Sequence, residues 1–245
     1  MNAGTERPIL MSPMMVEAIM SGRKTETRRV LKGLSDEDDA FSFTKIVIDP
    51  LAIGTDEDDE DAVEVPLIGS YASFNDGESL IKCPFGSVGD VLWIKERTYW
   101  EKGTDFANVA FDDGLMIPIK NKIMGKPMQI PNWKPTDKKI WKGRPSMFMP
   151  KTLCRLRLKI TELRVERLEE ITEKDAVGEG VEPISGLAGT FYKNYSRTNS
   201  HAFTIAKKSF ESLWESINGK GSWRKNPFVW VIGFKIKQNG LKPNE

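Results

Sequence analysis

Eight consecutive residues, Gly22-Arg23-Lys24-Thr25-Glu26-Thr27-Arg28-Arg29, carry four cations, two threonine hydroxyls and one carboxylate. Arginine and lysine together bind phosphate or carboxylate groups. A lysine crowded by other cations has its pKa lowered, which makes it usable as a base near neutral pH. A threonine hydroxyl beside it is then a nucleophile, as in Ser-Lys arrangements. The competing reading is a solvated basic turn.

The cluster leaves a short helix expected over residues 13–21. Ser12 is suited to the N-cap, Pro13 to the first turn and Gly22 to the stop. Val16, Ile19 and Met20 recur at helical spacing and are expected to face a core. Positions 24 and 27 share a face in a helical turn but point to opposite faces of a regular strand, so a Lys24–Thr27 dyad needs a turn between them.

The chain has 245 residues, enough for one large domain or two small ones. No apolar run approaches membrane-spanning length, and the N-terminus lacks the apolar core of a signal peptide, which predicts a cytoplasmic protein without membrane attachment. The two cysteines, Cys83 and Cys154, form no CxxC pair and fit a reducing compartment, arguing against a structural zinc site. The single histidine, His201, excludes a multi-histidine metal centre and reads as structural or as a helix-start residue. No metal or cofactor is expected, and acid–base work falls to Lys, Glu, Asp or Tyr.

The net charge of +1 hides an asymmetry. Residues 34–80 hold fourteen Asp or Glu and one lysine, Lys45, so the remainder is strongly basic. A basic body with an acidic insert fits a polyanion-binding surface. The run from Asp56 to Asp61 predicts a disordered loop.

Beyond the acidic insert, taken as 33–80, a tight turn at Val88-Gly89-Asp90 feeds a buried strand around 90–96. Residues 98–145 read as a second, irregular insert rich in Lys, Gly, Pro and Trp. Leu156, Leu158 and Ile160 alternate with Arg155, Arg157 and Lys159 along a strand. Thr172 opens a short helix ending near Gly178, with Glu179 and Gly180 following. Residues 183–200 read as a polar loop, 202–217 as a helix with Phe203, Ala206, Phe210, Leu213, Trp214 and Ile217 on one stripe, and 228–236 as a closing strand whose first half is buried on both faces. The expected fold is α+β, a small barrel decorated by helices. Trp93, Trp214 and Trp230 sit in element stripes as core, whereas Trp100, Trp133, Trp141 and Trp223 are freer to stack on bases.

Several pieces in this order resemble the ASCH domain of the PUA-like superfamily: the helix followed by GRKTETRR, CPFG-x-x-GD-x-LW, ITEKDAVGEGV and WRKNPFVWVIGF. The chain is most similar to the larger ASCH-domain proteins of bacteriophages and prophages. The resemblance implies a single domain over 1–245, a PUA-like small β-barrel with flanking helices and two long inserts, 33–80 and 98–145. It covers the helix and its basic motif, residues 82–97 and most of 146–236.

Small bacterial ASCH proteins include amidohydrolases that remove the acetyl group of N4-acetylcytidine through a Thr-Lys-Glu constellation. The resemblance implies that Lys24, Thr27 and Glu179 fill those places. Thr27 is then the nucleophile, Lys24 the base, and Glu179 the group that orients Lys24 or handles the leaving amine. Arg23, Arg28 and Arg29 are expected to hold a phosphate or a substrate oxygen, with barrel-surface ion pairs as the alternative for Arg28 and Arg29. A Glu179–Lys24 pair raises the lysine pKa while neighbouring cations lower it, and the sequence leaves that contest open.

The implied function is an amidohydrolase acting on an N4-acylated cytidine or a related modified nucleoside. The alternative is a non-catalytic PUA-like module that binds RNA or a modified base, and a third reading is a ribonuclease. The expected partner is a small nucleoside or RNA.

Overall fold

A computed structural model describes residues 5–33, 43–48, 51–52, 65–66, 69–74, 79–102, 107–120, 123–124, 128–129, 140–186, 189–196 and 201–239. The acidic run 56–61 and Trp133 lie outside these residues. The architecture is mixed α+β and mostly sheet, with three α-helices among the described residues. Their strand orders are open paths without a closed barrel. None of their helices is long and apolar enough to cross a membrane.

The chain divides into two compact units. The first comprises residues 1–22, 91–159 and 235–245. Its helix α1, Pro13–Met20, starts as its sequence dictates: the Ser12 hydroxyl accepts the Met15 N–H at 3.4 Å and proline occupies the first turn. Met15, Val16, Ala18 and Ile19 are buried. The strand Glu6–Leu10 runs parallel to Val91–Lys95, in register from Glu6 opposite Val91 to Leu10 opposite Lys95. Val91–Lys95 pairs in turn, antiparallel, with residues Arg157–Lys159 of the strand Leu156–Arg167.

The expectation of an irregular 98–145 segment is corrected. Thr98–Glu101, Ala107–Phe111, Leu115–Lys120 and Trp141–Arg144 are strands of one antiparallel sheet. Asp112, Asp113 and Gly114 make its central hairpin, and Gly114, at φ +82°, supplies the left-handed residue that a three-residue turn requires. Asp113 accepts the Leu115 N–H at 3.1 Å. The hairpin turns Val109, Phe111, Leu115 and Ile117 onto a core shared with Trp93, Met149, Leu153 and Cys154.

The second unit comprises residues 23–90 and 160–234. Here Glu26–Val30 pairs antiparallel with Phe228–Asn239, from Gly233 opposite Glu26 to Val229 opposite Val30. Residues Val229–Phe234 are buried on both faces. Phe43–Ile48, Ser70–Phe74 and Ser79–Lys82 form a separate three-stranded sheet. Helix α2, Glu173–Gly178, opens where the Thr172 hydroxyl accepts the Asp175 N–H at 3.1 Å. Helix α3, Ala206–Asn218, buries Ala206, Ser209, Phe210, Leu213 and Trp214 at helical spacing. Its first residue lacks a side-chain cap from Ile205; instead the Glu173 carboxylate accepts the Ala206 N–H at 2.8 Å and the Lys207 N–H at 3.3 Å. The helix starts later than expected, so His201 is exposed and stands ahead of it.

The expected loop over 183–200 contains a two-stranded hairpin, Pro183–Gly186 with Gly189–Tyr192. Trp223 is also corrected: it is buried, 6.1 Å from Phe210 ring to ring, and is not free to stack on a base. Trp100 and Trp141 are half-buried. Cys83 and Cys154 are both free and buried.

Candidate functional site

The basic motif does not form a turn. Glu26–Val30 is a strand, and Lys24 makes a bridge to Glu179, the residue that closes α2. Thr25 is clamped on both sides: its N–H donates to the Gly178 carbonyl at 2.8 Å and its carbonyl accepts the Phe234 N–H at 2.9 Å. Gly178 allows this approach, since a Cβ there would stand 3.2 Å from the Thr25 hydroxyl and 3.3 Å from Glu26 Cγ.

The bridge brings Lys24 and Glu179 together as side chains as well. Lys24 Nζ lies 2.5 Å from Glu179 Oε2 and donates to the Glu179 carbonyl at 2.8 Å. Both residues are buried, at 3% and 4% exposure. Burial disfavours the ammonium and is the largest influence on Lys24, the Glu179 carboxylate opposes it, and the Arg29 charge adds to it. The pKa of Lys24 lies below its ordinary value. Desolvation therefore decides the contest that the sequence left open, and crowding by cations is secondary.

Arg28 is the hub of a carboxylate cluster. Its Nη1 lies 2.5 Å from Glu26 Oε1 and 3.4 Å from Glu179 Oε1. Its Nε and Nη2 meet Glu166 Oε1 at 3.0 and 2.5 Å, and Nη2 lies 3.4 Å from Asp175 Oδ2. The side chain is fully enclosed. Burial works against the charge, but Glu179, Glu166 and Glu26 outweigh it and raise the pKa of Arg28. Arg164 stitches the same carboxylates from outside, reaching Glu26 and Asp175 at 3.4 Å and Glu166 at 3.1 Å. Glu26 is pushed up mainly by burial, with Arg28 pulling the other way.

Sequence alone assigned no role in the site to Glu26, Arg164, Glu166 or Asp175. The alternation Glu162-x-Arg164-x-Glu166 puts three charges on one face of the second half of the Leu156–Arg167 strand, and the reading ended that strand at Ile160.

The remaining motif residues sit around this cluster. Thr27 is buried at 4% exposure, opposite Ile232 in the sheet. Among the described residues, no hydrogen bond joins its hydroxyl to Lys24 or Glu179. Arg23 is half-buried and its Nη1 donates to the Gly180 carbonyl at 3.4 Å. Arg29 is half-buried, and burial lowers its pKa. The assembly can hold a proton on a desolvated amine, pass it to an adjacent carboxylate, and do so against fixed charges.

No family model, no curated protein and no solved structure matches this chain.

Proposed function

We propose that the protein is an amidohydrolase of the PUA-like type, acting on an N4-acylated cytidine or a related modified nucleoside. The observation that carries this reading is the buried Lys24–Glu179 contact at 2.5 Å, with burial holding the lysine pKa down. An amine so placed takes a proton at lower pH than an exposed lysine does.

In this reading Lys24, as the free amine, accepts the Thr27 hydroxyl proton while the threonine oxygen attacks the amide carbonyl. The same proton goes to the leaving amine as the C–N bond breaks, with Glu179 holding the lysine in line. Water then hydrolyses the acyl-threonine ester and restores the hydroxyl. Residues 24–27 run extended here, so in this reading substrate binding must bend them to bring the Thr27 hydroxyl to Lys24. Arg23 and Arg29 hold the substrate, whereas Arg28, enclosed by four carboxylates, acts through Glu179.

The test is incubation of the purified protein with N4-acetylcytidine, followed by absorbance and chromatography, beside Lys24→Ala, Glu179→Ala and Thr27→Val. Turnover in the wild type and loss in all three variants is expected. Full activity in Lys24→Ala, or no turnover by the folded wild type, overturns the reading. Turnover retained in Thr27→Val replaces threonine by a water nucleophile.

A further inference from the structure

The first unit contains a cavity of about 460 Å³, within the range of small-molecule sites, that the hydrolytic reading does not use. One wall is α1. Its Met14, Glu17 and Met20 recur at three-residue spacing on the face turned away from the core. Met14 and Met20 are 43% and 41% exposed. The other wall is the hairpin turn at Asp112 and Asp113. Glu96, Arg155 and Val16 form the buried part of the lining, all under 5% exposed.

The charges of this lining do not balance. Arg155 is matched within the protein: Nε lies 2.9 and 3.1 Å from the two Glu96 oxygens, Nη2 lies 2.6 Å from Glu96 Oε2, and Nη1 lies 2.6 Å from Asp113 Oδ2. Its guanidinium also stacks on Phe111 at 4.4 Å. Against this one lining cation stand Glu17, Glu96, Asp112 and Asp113; Arg97, outside the lining, also acts on Asp112, so two carboxylates remain in surplus. Asp112 has one oxygen accepting the Tyr99 hydroxyl at 2.8 Å. The Glu17 carboxylate has no hydrogen bond or ion pair among the described residues.

A ligand suited to this cavity must bring positive charge to Glu17 and Asp112, and an apolar stretch to the thioethers of Met14 and Met20. An anion meets the surplus carboxylates, and a neutral apolar molecule leaves them desolvated and unpaired. Methionine side chains adapt to a flexible methylene chain. We propose that the cavity binds an aliphatic polyamine, with its ammonium groups on Glu17 and Asp112 and its methylene chain between Met14 and Met20. This site is independent of the Lys24 chemistry and stands or falls without it.

The test is calorimetric titration of the full chain with spermidine at about 150 mM salt, where diffuse attraction to acid-rich sequence is screened. Three proteins are compared: wild type, Glu17→Gln/Asp112→Asn, and Met14→Ser/Met20→Ser. Asparagine at 112 keeps an acceptor for Tyr99, and the other three positions are exposed, so the fold is retained. One saturable site is expected in the wild type, weakened about tenfold in either double variant. The uncharged chain 1,8-octanediol should not displace spermidine. Absence of a saturable site, or equal affinity in all three proteins, overturns the proposal and assigns any heat to the acid-rich stretch 34–80.

Discussion

Lys24 and Glu179 meet twice, once through a backbone bridge and once through an ammonium–carboxylate contact at 2.5 Å, and the ammonium also donates to the Glu179 carbonyl. One pairing thus fixes both the path of the chain and the position of the most deeply buried lysine among the described residues.

Removing one partner from such a pair leaves a buried charge uncompensated. Lys24→Met should destabilise the protein by about 3 kcal/mol, because Glu179 then retains only Arg28 at 3.4 Å. Lys24→Met combined with Glu179→Leu should recover most of that loss. Urea unfolding of the wild type, both single variants and the double variant measures it, and additive losses would rule out the coupling.

The lowered lysine pKa carries a sign for stability. Between that value and the ordinary 10.5, the unfolded chain binds more protons than the folded one. The stability that Lys24 contributes therefore rises with pH across this window and is lost as pH falls through the folded-state pKa. The difference in unfolding free energy between wild type and Lys24→Met, followed from about pH 7 to about pH 10, should grow in favour of the wild type. A flat or shrinking difference contradicts a depressed lysine.

Arg28 tests the distinction between holding substrate and holding the protein. Lysine cannot reproduce its fork among Glu26, Glu166, Asp175 and Glu179. Arg28→Lys should lower stability by about 2 to 3 kcal/mol and reduce kcat with little change in KM. A raised KM at unchanged stability would return Arg28 to the substrate.

The turn before Val91–Lys95 separates two glycine effects. Gly86 and Gly89 both have left-handed backbones, φ +104° and +98°. A Cβ at Gly89 meets nothing within 4 Å, whereas one at Gly86 lands 2.5 Å from Asp90 Oδ2, which accepts the Ser87 N–H. Gly89→Ala should cost about 1 kcal/mol and Gly86→Ala about 2 to 3. Equal losses in denaturant unfolding would mean that the Asp90 carboxylate simply moves aside.

Local signals carried the sequence reading where they were strong. Ser12, Pro13 and Gly22 bracket α1, and Thr172 starts α2, because caps and stops act within one helical turn. The 98–145 sheet was missed because its strands are short and embedded in polar sequence, although Asp113-Gly114 between Val109/Phe111 and Leu115/Ile117 is a hairpin pattern. In the site, the resemblance pointed to Lys24 and Glu179, and the structure joins them. The Arg28 cluster was not legible, because Glu166 and Asp175 lie 138 and 147 positions from Arg28 and no periodicity links them. For the same reason sequence alone left the fate of Lys24 open, since desolvation depends on distant segments.

The clasp of Glu173 on the amide end of α3 has a dynamic consequence. α2 spans only six residues, too few to be stable alone, so Glu179 is delivered by an element that borrows its rigidity from a thirteen-residue neighbour. The two helices should therefore open as one unit in amide exchange. The Ala206 amide and the bridge at Lys24 should lose protection together, and Glu173→Gln, which weakens the clasp, should speed exchange at Thr25 without touching the site.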